Sequence, residues 1–130
     1  MVIENAINIY TDGSSFSHPR SGGIGIRLVI VNKEGFEEIK DISPPGFIGA
    51  TNNEMELCAC VEGIKQAMHH PAFNNFWHIA IHTDSQYVVD NYKRALYVWS
   101  KNRWCNYQGK PVDNATLWKE FTLFRFYSIL

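Results

Sequence analysis

Two aspartates stand in matching places. Asp12 closes the alternating stretch 5–12 and is followed by Gly13-Ser14; Asp84 follows the strand-like stretch 76–83 and precedes Ser85-Gln86. Either pattern alone is that of an ordinary Asx-turn. If the two strands are parallel neighbours, however, the carboxylates stand side by side, and adjacent carboxylates both stay ionised only with a cation between them. A third acid comes from the helical stretch 52–68, where Glu54 and Glu56 lie about 200° apart around the axis, so only one can face such a site. Glu56 shares its flank with Cys60, Gly63 and Ala67, small side chains that let a strand approach, whereas Glu54 shares its flank with Cys58 and Lys65, a solvated set. A Glu in the first turn also favours the helix dipole wherever it points. The expected constellation is Asp12, Glu56 and Asp84 around a hard divalent cation.

These acids need a particular framework. Ile7, Ile9 and Thr11 alternate with Asn8, Tyr10 and Asp12; Ile24, Ile26, Leu28 and Ile30 alternate again; Asn32-Lys33-Glu34-Gly35 turns the chain into a third run, 36–42. Three strands joined this way form an antiparallel meander, with residues 15–23 expected as a loop. Thr51 or Asn52 caps the helix over 52–68, whose core stripe is Leu57, Val61, Ile64 and Met68, and Pro71 lies just past its end. A strand to Thr83 follows, then helical residues 87–104 in one or two pieces, a loop at 106–114 and a last helix over 115–125. The order βββαβα indicates an α+β or α/β domain with a mixed sheet and helices on its faces.

At 130 residues, with 45% hydrophobic and 19% charged residues, the chain makes one domain with a real core. No run is long and apolar enough for a membrane span, no basic leader opens the chain, and Cys58, Cys60 and Cys105 cannot form a closed disulfide set, so a reduced, cytoplasmic protein is expected. Charge is divided unevenly. Residues 1–92 carry a net charge of −6 and residues 93–130 a net charge of +5, with five basic residues and no acid between Lys93 and Lys110. An acidic body with a basic appendage suits an anionic polymer, although a solvated basic face has the same composition. His69-His70 at a helix end reads as a partner for the helix dipole rather than a zinc site.

Tyr10-Thr11-Asp12-Gly13-Ser14, Gly22-Gly23-Ile24-Gly25, Thr51-Asn52-Asn53-Glu54-Met55-Glu56-Leu57 and Thr83-Asp84-Ser85-Gln86-Tyr87-Val88 together resemble type 1 ribonuclease H. So do Trp99, Trp104, Lys110-Pro111-Val112, Asn114 and Leu117-Trp118. The resemblance implies a ribonuclease H-like mixed sheet and an endonuclease that hydrolyses the RNA strand of RNA–DNA hybrids, leaving a 5′-phosphate and a 3′-hydroxyl. It implies that Asp12, Glu56 and Asp84 are three of four acidic ligands for two Mg2+ or Mn2+ ions. Gly13 and Ser14 would lie beside the scissile strand, Asn52 and Gln86 would read the minor groove, and Thr51 and Asn114 would grip a phosphate of the DNA strand. The stretch at about 92–110, with Trp99, Lys101 and Arg103, resembles the basic protrusion that docks on the hybrid.

The family pattern continues after Leu117-Trp118 with a strand, a loop bearing a catalytic His and a helix bearing the fourth acid. This sequence has no His after His82 and no Asp after Asp113. The expectation is therefore a fold lacking the usual last strand and helix, with an apolar stretch at 121–130 that needs burial, in the fold or against another copy. Two classes of function follow: a hybrid nuclease working with three carboxylates or completed by a partner, or an impaired or inactive homologue that binds hybrid or other nucleic acid without turnover.

Overall fold

The computed structural model describes residues 6–17, 20–32, 34–43, 47–48, 51–71, 73, 78–123 and 127–129; for 12–17, 20–23, 47–48 and 127–129 only the backbone is described. A long hairpin, β1 (Ala6–Ser17) and β2 (Arg20–Val31), is paired antiparallel from Ala6↔Val31 to Ser17↔Arg20. β3 (Glu37–Ile42) lies antiparallel on the far side of β2. The turn between them is held by Asn32, whose Oδ1 accepts from the Glu34 and Phe36 amides at 3.0 and 2.9 Å, with Gly35 at φ +86°. The two-residue β4 (Phe47–Ile48) also pairs with β2. β5 (Ile79–His82) runs parallel to β1, and β6 (Tyr127–Ile129) parallel to β5, which gives the order β3-β2-β1-β5-β6.

The mixed sheet is as expected, but two details are corrected. Residues 15–17 and 20–23 belong to the β1–β2 ladder rather than to a loop. A ladder needs only backbone donors and acceptors, so a Gly- and Ser-rich arm can pair without showing any apolar alternation. The expected absence of a last strand is overturned as well. Tyr127-Ser128-Ile129 pairs with Ile79-Ala80-Ile81, extending the sheet beyond β5. Aromatic and β-branched residues suit that role.

Helix α1 (Asn52–His69) begins where Thr51 Oγ1 accepts the Glu54 amide at 3.2 Å. It ends at His70, which is extended because Pro71 follows. Leu57, Val61 and Ile64 are buried on its inner face and Met68 is half-buried, packed against the sheet with Ile7, Ile9, Leu28, Ile79 and Ile81. Gly63 sets how near α1 can come: a methyl group there would stand 2.5 Å from Ile9 Cγ2. Helix α2 (Gln86–Tyr97) passes into a 3₁₀ turn (Trp99–Lys101), and α3 (Ala115–Leu123) buries Trp118 and Phe121. A 2.7 Å ion pair between Lys65 and Glu120 links α1 to α3. No described helix is long and apolar enough to cross a membrane, and all three cysteines are free thiols.

Candidate functional site

The parallel ladder between β1 and β5 runs from Ile7↔Ile79 to Tyr10↔His82. Two residues further along each chain come Asp12 and Asp84. The Asp12 backbone pairs with Gly25 of β2, and its side chain lies outside the described residues; Asp84 is exposed just past the end of β5. From the other side α1 delivers Glu56, half-buried, whose Oε2 accepts the Ser85 hydroxyl at 2.6 Å. The same hydroxyl oxygen accepts the Val88 amide at 3.2 Å as the N-cap of α2. A single nearly buried serine therefore starts a helix and aims a carboxylate at the turn that carries Asp84. Glu54 lies on the first turn of α1, where its backbone amide is taken by Thr51.

Beneath this turn the side chains alternate in strand fashion. Thr11 and Thr83, the residues just before the two aspartates, both face the Cys60 thiol, and Thr11 Oγ1 hydrogen-bonds it at 3.8 Å from Sγ. Burial pushes the Cys60 thiol up to about 12, so it stays protonated and adds no negative charge beside the acids. Asn8 is fully buried at the centre of the sheet. Its Nδ2 donates to the Val29 carbonyl at 3.2 Å, and its Oδ1 lies 2.9 Å from His82 Nε2. The His82 ring stacks on Tyr10, with centroids 4.3 Å apart.

The donor set suits a hard cation: carboxylate oxygens on three separate elements, one of them already oriented by a hydrogen bond. Among the described side chains no group of three or more His, Cys, Asp or Glu is close enough to hold an ion. Glu120 is engaged by Lys65, and His70 meets Glu38 at 2.8 Å on the edge of the sheet.

The residues expected to touch a polymer fall into two groups. Gly13 and Ser14 continue β1 beside Asp12, paired with Ile24 and Gly23, while Thr51 and Asn52 sit exposed at the start of α1. Gln86 is exposed at the start of α2, with its Nε2 given to Asp90 at 2.6 Å. The second group surrounds Tyr87, whose hydroxyl accepts from Asn114 Nδ2 at 3.1 Å and Trp118 Nε1 at 3.0 Å. Asn114 takes φ +57°, a conformation its short polar side chain tolerates, and a cavity of about 270 Å³ opens beside it between Tyr87, Trp99 and Val112. Trp99 is half-buried, edge-on to Trp118 at 6.1 Å, so it packs the base of the basic stretch. Lys101 and Arg103 are exposed, and no ion pair with a carboxylate holds either of them among the described residues.

Ser85, Tyr87 and Cys60 were not singled out as functional from the sequence. Ser85 had a readable signal, a serine placed directly before a helical run. The Tyr87 and Cys60 contacts span 27 to 49 residues and have no local signature.

Residues 4–128 match the family model described as RNase H. A protein named Ribonuclease H from Parvibaculum lavamentivorans is 36% identical over 116 residues, covering 89% of this chain and 69% of that protein. Its namesake from Actinobacillus pleuropneumoniae is 37% identical over 112 residues, covering 86% of this chain and 65% of that one. The chain thus spans about two thirds of the length of these relatives. Among solved structures, a foamy viral protease–reverse transcriptase in complex with double-stranded DNA superimposes on the whole chain with a TM-score of 0.77 and 28% identity, over 84% of that chain. The same viral enzyme in complex with an RNA/DNA hybrid gives a TM-score of 0.74 at 24% identity, over 18% of its chain.

Proposed function

Since the chain belongs to the ribonuclease H family, we propose that it is a metal-dependent endonuclease that hydrolyses the RNA strand of RNA–DNA hybrids. The observation that carries this reading is the 2.6 Å bond from Ser85 to Glu56, which draws the helix acid onto the Asp84 turn, on a strand parallel to the one that bears Asp12. Asp12, Glu56 and Asp84 would hold Mg2+ or Mn2+, two ions per site. Such ions, when bound, activate the attacking water and neutralise charge at the leaving 3′ oxygen.

The protein's own groups do the rest. Ser85 keeps Glu56 in one orientation, so no rearrangement is needed when the substrate arrives. Recognition of RNA rests on the 2′-hydroxyl, which both donates and accepts. Gln86 Nε2 is committed to Asp90, so its amide oxygen is the atom that would accept from that hydroxyl. Asn52 would read the groove from the start of α1, and the Gly13–Ser14 backbone would lie along the scissile strand. Thr51 and Asn114 would take a phosphate of the DNA strand, while Trp99, Lys101 and Arg103 would form the docking surface.

The test uses the purified chain with RNA–DNA hybrid, RNA duplex and DNA duplex, each in Mg2+, Mn2+ or chelator. The expected result is cleavage confined to the RNA strand of the hybrid and abolished by chelator. Binding of hybrid without cleavage in either metal would replace the enzyme reading with that of a binding protein, and no selectivity among the three duplexes would discard both.

A further inference from the structure

We propose that Cys60 is a positioning residue for this site: its buried thiol ties together, beneath the surface, the three elements that carry Asp12, Glu56 and Asp84. The inference rests on the functional reading above and deepens it. Cys60 is fully buried and lies four residues after Glu56, one turn along the same face of α1. The thiol meets Thr11, the residue before Asp12, and Thr83, the residue before Asp84. Thr83 Oγ1 in turn accepts the Ser85 amide at 3.1 Å, and the Ser85 hydroxyl returns to Glu56. A closed circuit results, running from Cys60 to Thr83, Ser85 and Glu56 and back along one helical turn, with Asp84 held inside it and Asp12 joined through Thr11.

The atoms are suited to the task. A thiol has one weak donor and can accept as well, and each threonine hydroxyl can do both, so the two contacts are satisfied together. Each bond is weak. Yet α1 lies on the two strands largely through apolar packing, with Ser85–Glu56 as a directed bond beside it, and packing resists sliding less specifically than directed bonds do. Groups that orient metal ligands from behind typically change metal affinity or activity by about 10–100-fold when removed. Because Cys60 acts through intervening residues, the lower end of that range is expected.

The experiment measures Mn2+ binding by isothermal titration calorimetry on the whole chain, alongside thermal unfolding and the kcat and KM for hybrid cleavage. Cys60→Ala, which removes both thiol contacts, and Thr83→Val, which keeps volume but removes the hydroxyl, should each weaken Mn2+ binding about 10-fold and lower kcat with little change in KM. Cys60→Ser, which keeps a donor and acceptor in place, should restore most of the affinity. Wild-type Mn2+ affinity in both Cys60→Ala and Thr83→Val would overturn the proposal, as would a Cys60→Ser variant no better than Cys60→Ala. If the unaltered chain binds no Mn2+, the functional reading fails at its root and this inference with it, a result distinct from the other two.

Discussion

The acidic end of the β1–β5 pair and the basic stretch from Lys93 to Lys110 are built on opposite plans. Around Asp84 and Glu56 a set of polar groups is joined by directed bonds: Ser85 to Glu56, Ser85 to Val88, Thr83 to Ser85, Thr11 to Cys60. The charged groups of the basic stretch stand in solvent: Lys93 and Arg94 on α2, and Lys101, Arg103 and Lys110 on the turns that follow, where Arg103 and Trp104 both take positive φ and Trp99 and Trp104 pack against the core. Under the proposed function, the difference matches what each charge would have to do. A carboxylate that shares a small ion must be placed to fractions of an ångström, whereas a cation facing a polyanion contributes through charge density and tolerates imprecision.

The comparison breaks most sharply at Asp84. Asp84→Asn keeps the volume and removes the charge, so cleavage of hybrid should fall to background while thermal unfolding and hybrid binding change little. Glu56→Gln should behave likewise and Glu54→Gln should not; equal losses in the two would mean that the wrong face of α1 was assigned. Next in size is the packed joint between the regions. Trp118→Ala removes a fully buried indole that contacts Tyr87, Trp99 and Phe121. It should cost about 3–5 kcal/mol in denaturant unfolding.

A smaller effect tests the claim of imprecision. Replacing Lys101 and Arg103 together by Ala should reduce the slope of log K against log salt by about 1.4–1.8, at about 0.7–0.9 per phosphate contact, while cleavage at saturating hybrid stays near its starting rate. An unchanged slope would assign those residues to solubility. The smallest effect lies on the sheet edge. Hydrogen bonding to Arg27 holds the Asp41 carboxyl below its ordinary range. Its contribution to stability is therefore present above the unfolded value near 3.8 and is lost as pH falls through the lower folded value. The gap in Tm between the wild type and Asp41→Asn should be small at neutral pH and close in acid.

Legibility in the sequence followed the range of the interaction. The ends of α1 were readable because Thr51 and Pro71 act on adjacent residues, and the stripe Leu57, Val61, Ile64 shows because burial repeats with the helix. Glu56 was distinguishable from Glu54 by its neighbours on the helix face. The outer half of the β1–β2 hairpin was hidden, since Gly and Ser give a ladder no side-chain signature, and β4 and β6 are too short to show a period. Nothing within a few residues of Cys60 announces Thr11, 49 positions away.

The unequal flanking of β1 has a consequence for motion and access. Through Tyr10 the strand has neighbours on both sides, β2 and β5; from Asp12 onward, among the described residues, it is paired with β2 alone. Among the described residues, Asp12 thus stands where β1 passes from two paired edges to one, at the base of the arm it forms with β2. Amide hydrogen exchange should mark that step, with strongly protected amides at Ile7–Tyr10 and much faster exchange in the arm beyond Asp12. On the proposed function, a polymer reaching the acids would meet the β1–β2 arm on one flank and the multi-stranded sheet on the other, so whatever yielding occurs when it binds should be borne by the arm.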